Sequence, residues 1–130
     1  MKTIRVLIAI LGLDQHEVGA IAVSRALMEA GIEVVYAGRF NLPAMIVSTA
    51  AQESVDVIGL SCGSWEYLYY VPELIELLKA QDLTVPVIVG GPIITAGDVK
   101  ALREKGVAAV FGPGATMEHI IAAVKELGVS

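Results

Sequence analysis

The sequence predicts a doubly wound, five-stranded parallel α/β sheet in a single domain, and three observations predict it. Five short runs rich in Val and Ile recur along the chain. Between them lie longer stretches whose apolar residues repeat at i, i+3, i+4, i+7, the period of a helix with one buried face. The length of 130 residues leaves room for one domain, residues 1–130, and none for a second of about 150 residues.

The first run, residues 4–10, is apolar almost throughout, as a strand buried on both faces requires. A helix follows, with Val23, Ala26, Leu27 and Ala30 on one face and Gly31 where a helix-ending glycine belongs. The second run, residues 34–37, precedes a shorter helix over Pro43–Glu53, where proline suits a first turn whose N–H has no partner. The third run, Val57–Ser61, leads to a helix facing inward through Val71, Leu74, Ile75 and Leu78. The fourth, residues 85–89, leads to a helix over residues 96–105, which Thr95 and Asp98 open as an approximate capping box and Gly106 closes. The fifth, Ala109–Phe111, precedes a helix with Ile120, Ala123, Val124 and Leu127 on its inner face. Right-handed crossovers then give a Rossmann-like sheet covered on both sides, with the flavodoxin-like strand order 2-1-3-4-5.

Composition narrows the function. Hydrophobic residues make up 55% and charged residues 18%, so most strands are expected to be buried on both faces. The 14 acidic against 9 basic residues, net charge -5, provide no basic footprint for a phosphate backbone, so no nucleic acid partner is expected. The single cysteine, Cys62, can form no intrachain disulfide, which points to a cytoplasmic chain. Lys2 and Arg5 before an apolar run superficially copy a signal peptide, but the run ends in Asp14, Gln15, His16 and Glu17 with no small-residue cleavage site. No apolar stretch approaches the roughly 20 residues of a membrane helix, so a soluble protein with no membrane partner is expected.

In this strand order the chain reverses direction between strands one and three, and ligands bind outside the carboxyl ends of the strands at such a point. The loops there carry Asp14, Gln15, His16, Glu17, Val18 and Gly19 after strand one, and Ser61, Cys62, Gly63 and Ser64 after strand three. Gly90-Gly91-Pro92 and Gly112-Pro113-Gly114 follow strands four and five, and paired glycines on converging loops imply a bulky ligand approached closely by backbone. A phosphoacceptor receiver needs clustered acids, an Asp ending strand three and a Lys ending strand five, whereas these positions offer Asp14, Ser61 and no lysine. A flavin mononucleotide site needs a hydroxyl-rich first loop, and residues 12–19 contain no Ser or Thr. The dinucleotide fingerprint G-x-G-x-x-G is absent after strand one. Two readings of the first loop stay open on spacing alone. His16 is a metal ligand whose second N–H is fixed by Asp14, or His16 is a polar loop residue while Asp14 caps the following helix.

Asp14-x-His16-x-x-Gly19, Ser61 ending strand three and Gly90-Gly91 ending strand four reproduce the D-x-H-x-x-G, S-x-L and G-G signature, and the chain resembles cobalamin-binding domains over nearly its whole length. It looks most like the small subunits or C-terminal domains of methylmalonyl-CoA-type mutases, particularly at Phe111-Gly112-Pro113-Gly114, and its first loop is also similar to that of the glutamate mutase small subunit. The resemblance implies that cobalamin, as adenosylcobalamin, is the cofactor, that His16 replaces its dimethylbenzimidazole as lower ligand to cobalt, and that Asp14 orients His16. It further implies that the displaced nucleotide tail enters a pocket lined by Ser61 and Gly63 on one side and by Gly90, Gly91, Phe111, Gly112 and Gly114 on the other. Gln15, Glu17, Val18 and Gly19 complete the cofactor-binding set, with no residue of this chain acting in the radical chemistry itself. The chain is then one subunit of an isomerase, inactive without a large barrel subunit that binds acyl-CoA, and self-association is open to it when isolated.

The pattern departs from the acyl-CoA mutases at Ile10, where a lysine often supports the Asp-His pair, and at Val18, Gly63 and Ala115, leaving a looser tail pocket unless Trp65 or Tyr67 fills it. Other readings compete. A corrinoid methyl carrier resembles the same motif but usually has a helical cap before the first strand, and a first strand near Ile4 leaves no space for one. A cobalamin-free enzyme would use Cys62 as a nucleophile activated by His16, although a small buried hydrophobe is the commoner role of such a cysteine. A degenerate fold would mediate only protein contacts. Trp65, Tyr67, Tyr69 and Tyr70 either pack on the corrin or a partner or belong to the core. Glu17 and Glu66 are acid-base candidates or solvated rim residues, and His119 reads as a surface residue.

Overall fold

A computed structural model describes residues 3–12, 17–63 and 65–129. The chain alternates β1 (Arg5–Leu11), α1 (Glu17–Glu29), β2 (Glu33–Asn41), α2 (Pro43–Glu53), β3 (Val57–Ser61), α3 (Tyr67–Ala80), β4 (Val87–Gly90), α4 (Ala96–Glu104), β5 (Ala109–Phe111) and α5 (Met117–Gly128). All strand pairs are parallel and the order is β2-β1-β3-β4-β5, as the sequence predicts.

Burial of the sheet is uneven. The inner strands β1, β3 and β4 are buried along nearly their whole length, whereas the edge strands β2 and β5 are only partly covered. The expectation of strands buried on both faces therefore holds for the centre alone. Alternate residues of the inner strands feed two cores. One holds Leu7, Ile58, Leu60 and Val89 against Val71, Leu74, Ile46 and Leu102 of the α2, α3 and α4 layer. The other holds Val6, Ile8, Ile10, Val57 and Ile88 against Ala20, Leu27 and Val124 of α1 and α5.

Local signals act as expected at most ends. Pro43 opens α2, and Thr95 and Asp98 form a complete reciprocal capping box on α4. β4 starts two residues later than its apolar run, because Pro86 has no N–H for the ladder, although its carbonyl still accepts from Ile58 N at 2.9 Å. β2 runs four residues beyond its apolar run and contains two bulges, where the register against β1 jumps from Tyr36 to Gly38 and from Gly38 to Asn41. Phe40 in the second bulge takes φ of 65°, a left-handed conformation costly for a residue with a Cβ. Asn41 is buried and donates its side-chain amide to Gly38 O at 2.7 Å and Ile10 O at 3.3 Å, replacing the ladder bonds that the bulges interrupt. Among the described residues no helix is long and apolar enough to cross a membrane.

Leu7, fully buried at the centre of β1, carries the packing of one core. Leu7→Ala is expected to cost about 2–5 kcal/mol, read as a lower urea midpoint at unchanged slope; a loss below about 0.5 kcal/mol would contradict this packing.

Candidate functional site

The carboxyl ends of β1, β3, β4 and β5 and the facing turns of α1 and α5 enclose a cavity of about 280 Å³. Ile8 and Ile88 form its floor, Ala20, Val23 and Ile120 its helical walls, and Ser61, Gly90, Gly91, Phe111 and Gly112 its rim. It lies over the α1 and α5 side of the sheet at the switch point between β1 and β3. Among the described lining residues only Ser61 has a side chain able to hydrogen-bond, so the cavity suits a flat, largely apolar group.

Of the residues expected from the sequence, Gly19, Ser61, Gly90, Gly91, Phe111 and Gly112 meet at this cavity. Gly63 and Gly114 are not among its lining residues. Val18 stands outside it, 83% exposed in the first turn of α1. Asp14, Gln15 and His16 fall outside the described residues. Neither Trp65 nor Tyr67 fills the cavity: Tyr67 is buried in the opposite core, and Trp65 is exposed and stacks edge-on with Tyr69 at 5.6 Å.

The glycines divide by cause. A Cβ on Gly91 would fall 1.8 Å from the Cys62 carbonyl oxygen, so the neighbouring loop, rather than a ligand, demands glycine there. The same contact is tightened by Cys62 N donating to Gly90 O at 2.8 Å and Gly91 N donating to Phe111 O at 3.1 Å, which lock three loops together. A Cβ on Gly19 meets no atom within 4 Å, although this residue lines the cavity. There the missing side chain leaves space for something else.

Beside the cavity, on the α3 and α4 side, the Tyr67 hydroxyl donates to the Asp98 carboxylate, which also accepts from Thr95 N at 3.2 Å. One carboxylate thus ties the start of α3 to the cap of α4. Its pKa is lowered, first by the Tyr67 bond and then by the Thr95 backbone and hydroxyl. Burial and the same bond raise the pKa of Tyr67 well above the ordinary phenol value.

Near the other edge of the site, Glu17 begins α1 directly after the residues that carry Asp14 and His16. Its carboxylate accepts from the Tyr36 hydroxyl at 2.7 Å and lies 3.4 Å from Arg39 Nε, both on β2. Partial burial, followed by the Glu17 bond, pushes the Tyr36 pKa up to about 12. Asn41 O accepts from Gly12 N at 2.8 Å, just before the same loop. Tyr36, Arg39 and Asn41 were not evident from the sequence, where Gly38 and the polar residues after the second apolar run read as the end of a strand. Glu66 lies against Gly12, where a Cβ would come within 2.2 Å of its carboxylate. His119 is exposed, with its backbone N–H on the Thr116 hydroxyl that caps α5, as its surface reading predicts. Cys62 is 2% exposed within the main core, which weighs against a nucleophilic thiol. Among the described residues no cluster of three or more His, Cys, Asp or Glu could hold a metal ion.

The family model for the B12 binding domain matches residues 4–122. The chain belongs to this family. Cobalamin is accordingly the cofactor of this B12-binding chain. Among similar proteins, the pivalyl-CoA mutase small subunit of Xanthobacter autotrophicus is 41% identical over 98% of this chain and 85% of its own length. The 2-hydroxyisobutanoyl-CoA mutase small subunit of Aquincola tertiaricarbonis is 36% identical over 95% and 91% respectively. Methylmalonyl-CoA mutase of Escherichia coli is 35% identical over 87% of this chain but only 16% of its own length. A cobalamin-binding protein of Desulfitobacterium hafniense shares the fold with a TM-score of 0.83 at 19% identity, covering 95% of this chain and 58% of that one. The receiver domain of a response regulator from Mycobacterium tuberculosis shares it with a TM-score of 0.77 at 18% identity, covering 100% of this chain and 99% of that one. The fold is thus common to both, and the residues at the strand ends distinguish them.

The geometry of the cavity and of the contacts beside it leads to expected outcomes for three variants. Gly19→Ala should stabilise α1 slightly, by up to about 1 kcal/mol, while weakening hydroxocobalamin binding. Gly91→Ala should instead lower the stability of the apo chain by about 1–3 kcal/mol. Calorimetry and titration of both variants check this, and unchanged affinity in Gly19→Ala would remove the cavity from the site. The Tyr67–Asp98 bond predicts a pH-dependent difference between wild type and Tyr67→Phe. Asp98 is depressed in the folded state, so its stabilisation is present above the ordinary carboxylate value of 3.8 and lost as pH falls through the lower folded value. Tyr67 is raised, so its stabilisation is fully present below the ordinary phenol value of 10.0 and is lost as pH rises through the higher folded value. The gap in unfolding midpoint should be widest between these limits and close on both sides.

Proposed function

We propose that this chain is the cobalamin-carrying small subunit of an adenosylcobalamin-dependent acyl-CoA mutase, an isomerase whose separate large subunit holds the substrate in a barrel. The observation that carries the reading is the near full-length similarity to two small subunits of CoA mutases. The cavity supports it: 280 Å³ is far too small for a corrin ring but admits the aromatic base of the nucleotide tail, and the empty position at Gly19 leaves room beside it.

Adenosylcobalamin, when bound, supplies radical chemistry through homolysis of its cobalt–carbon bond. The work of this chain is to hold and orient. His16 offers a neutral imidazole nitrogen to cobalt, and Asp14 accepts the other ring N–H, fixing tautomer and orientation. Ser61 gives the tail its side-chain hydrogen bond, and Gly19, Gly90, Gly91, Phe111 and Gly112 line the slot, where the bare position at Gly19 leaves the room.

The surface around the slot supports a large partner. Val18, Phe40, Leu42, Trp65, Tyr69 and Ile93 are all exposed, and each stands on a loop, in a first helical turn or, for Phe40, in the bulged end of β2, at the carboxyl end of the sheet. Large apolar groups gathered at one end of a small acidic chain mark a surface that another molecule covers. A substrate-binding subunit set over this end would enclose the cofactor between the two chains. The burial of Cys62 argues against the cysteine enzyme, and the methyl carrier shares the cofactor with the mutase but not the reaction.

The test is a titration of the purified chain with hydroxocobalamin and adenosylcobalamin beside His16→Ala, with paramagnetic resonance of the reduced cobalt form. Wild type should show a histidine nitrogen on cobalt that His16→Ala lacks, and Asp14→Asn should bind roughly 10 to 100-fold more weakly. Unchanged affinity and spectra in both variants would overturn the ligand assignment. Methyl transfer without isomerisation, once a large subunit is supplied, would favour the methyl carrier.

A further inference from the structure

The residues that carry Asp14 and His16 are bracketed by two anchor points, and both are held by the same short segment. Gly12, before them, donates its N–H to Asn41 O at 2.8 Å. Glu17, after them, accepts from the Tyr36 hydroxyl at 2.7 Å and faces Arg39 Nε at 3.4 Å. Tyr36, Arg39 and Asn41 all lie on the bulged end of β2, residues 36–41. We propose that this bulged end is the positioning element for the His16 loop, with Asn41 fixing its entry and the Tyr36–Arg39 pair fixing its exit through Glu17. The proposal rests on His16 as the cobalt ligand and adds the residues that aim it.

The bulges make this arrangement possible. Two extra residues enter β2 between the partners of Ile8 and Leu11, which carries the strand further round the end of β1 than a regular ladder would. The cost appears at Phe40, whose φ of 65° places a bulky residue in the left-handed region. Arg39 is steadied between two contacts, the Glu17 carboxylate and the Phe40 ring, whose centroid lies 5.2 Å from its guanidinium carbon. Strain at Phe40 therefore accompanies a fixed position for Arg39. Asn41 is buried and makes its bonds to β1 and to the bulge itself, so the segment is internally braced. A strand end that served only to close the sheet would need neither the bulges nor the strain.

Cobalt serves as the reporter. The full chain, as wild type and as Tyr36→Phe, Arg39→Met and Arg39→Lys, is titrated with hydroxocobalamin, and the reduced cobalt form of each is examined by paramagnetic resonance. Glu33→Gln, which removes a β2 ion pair with Arg5 at the opposite end of the strand, is the control for strand stability. Tyr36→Phe and Arg39→Met should each weaken binding by about 10-fold and lower the fraction of cobalt carrying a histidine nitrogen. Arg39→Lys should restore part of that fraction, and Glu33→Gln should leave it unchanged. If the wild type shows the nitrogen and Tyr36→Phe, an isosteric change that keeps the fold, shows it equally, the positioning role is overturned while His16 stands. If the wild type binds the corrinoid without a histidine nitrogen, the ligand assignment fails and the positioning role falls with it.

Discussion

Inner strands buried on both faces have almost no polar side chain to spare along their length, and this constraint decides where the chemistry of the chain can lie. β1, β3 and β4 present Val, Ile, Leu, Ala and Gly to two apolar cores, and their backbone groups are used by one another. Polar side chains and unused backbone groups gather where the strands stop. Asp14, His16, Ser61 and the glycine pairs all fall just beyond or at the last residue of a strand. The crossovers return every strand in the same direction, so these ends converge on one side of the molecule.

The two sides of that end are used differently. Over α3 and α4 the loops are closed: Tyr67 is buried, its hydroxyl is tied to Asp98, and the Cys62 carbonyl occupies the place a side chain on Gly91 would need. Over α1 and α5 the loops stand apart, and the space between Val23, Ile120 and the sheet stays open. The closed side gives the open side a rigid wall, because the locks between β3, β4 and β5 run through Gly90 and Gly91, which also form its rim. An apolar slot in water tends to collapse unless its walls are held apart by other contacts, and these locks supply them.

The inner strands were legible in the sequence because their burial leaves an unbroken apolar run, and β3 matches its run residue for residue. Most of the cavity rim was legible too, since the motif positions sit at strand ends whatever the side chains around them do. The α1 face was less so. Ala20, Ser24 and Leu27 are its buried residues, and Val23 packs partly buried against the core while it and Ala20 also border the cavity. A periodic pattern reports a face but cannot tell solid core from a slot. The aromatic cluster at α3 could have been divided by period, because Tyr67, Tyr70, Val71 and Leu74 share one face and Tyr69 lies on another. Gly63 and Gly114 were grouped with the rim through the resemblance, and neither lines the cavity. The bulged end of β2 was the least legible part, since Gly38, Arg39 and Asn41 interrupt the apolar pattern and read as a turn.

That the least regular strand end serves the most exacting loop has a physical reason. A bulge disrupts the ladder on both sides of the strand that carries it, so an inner strand with two bulges would unpair from two neighbours at once. β2 is an edge and pairs only with β1, which limits the damage to one ladder, and Asn41 repairs part of it with its side-chain amide. The edge next to β1 is also placed so that a strand there reaches Gly12 and Glu17, on either side of the residues that β1 enters. β5, the opposite edge, is separated from that loop by β4 and β3. Strand order thus assigns the two edges different roles: β5 ends at the cavity rim through Phe111 and Gly112, while β2 bends to grip the residues on either side of Asp14 and His16.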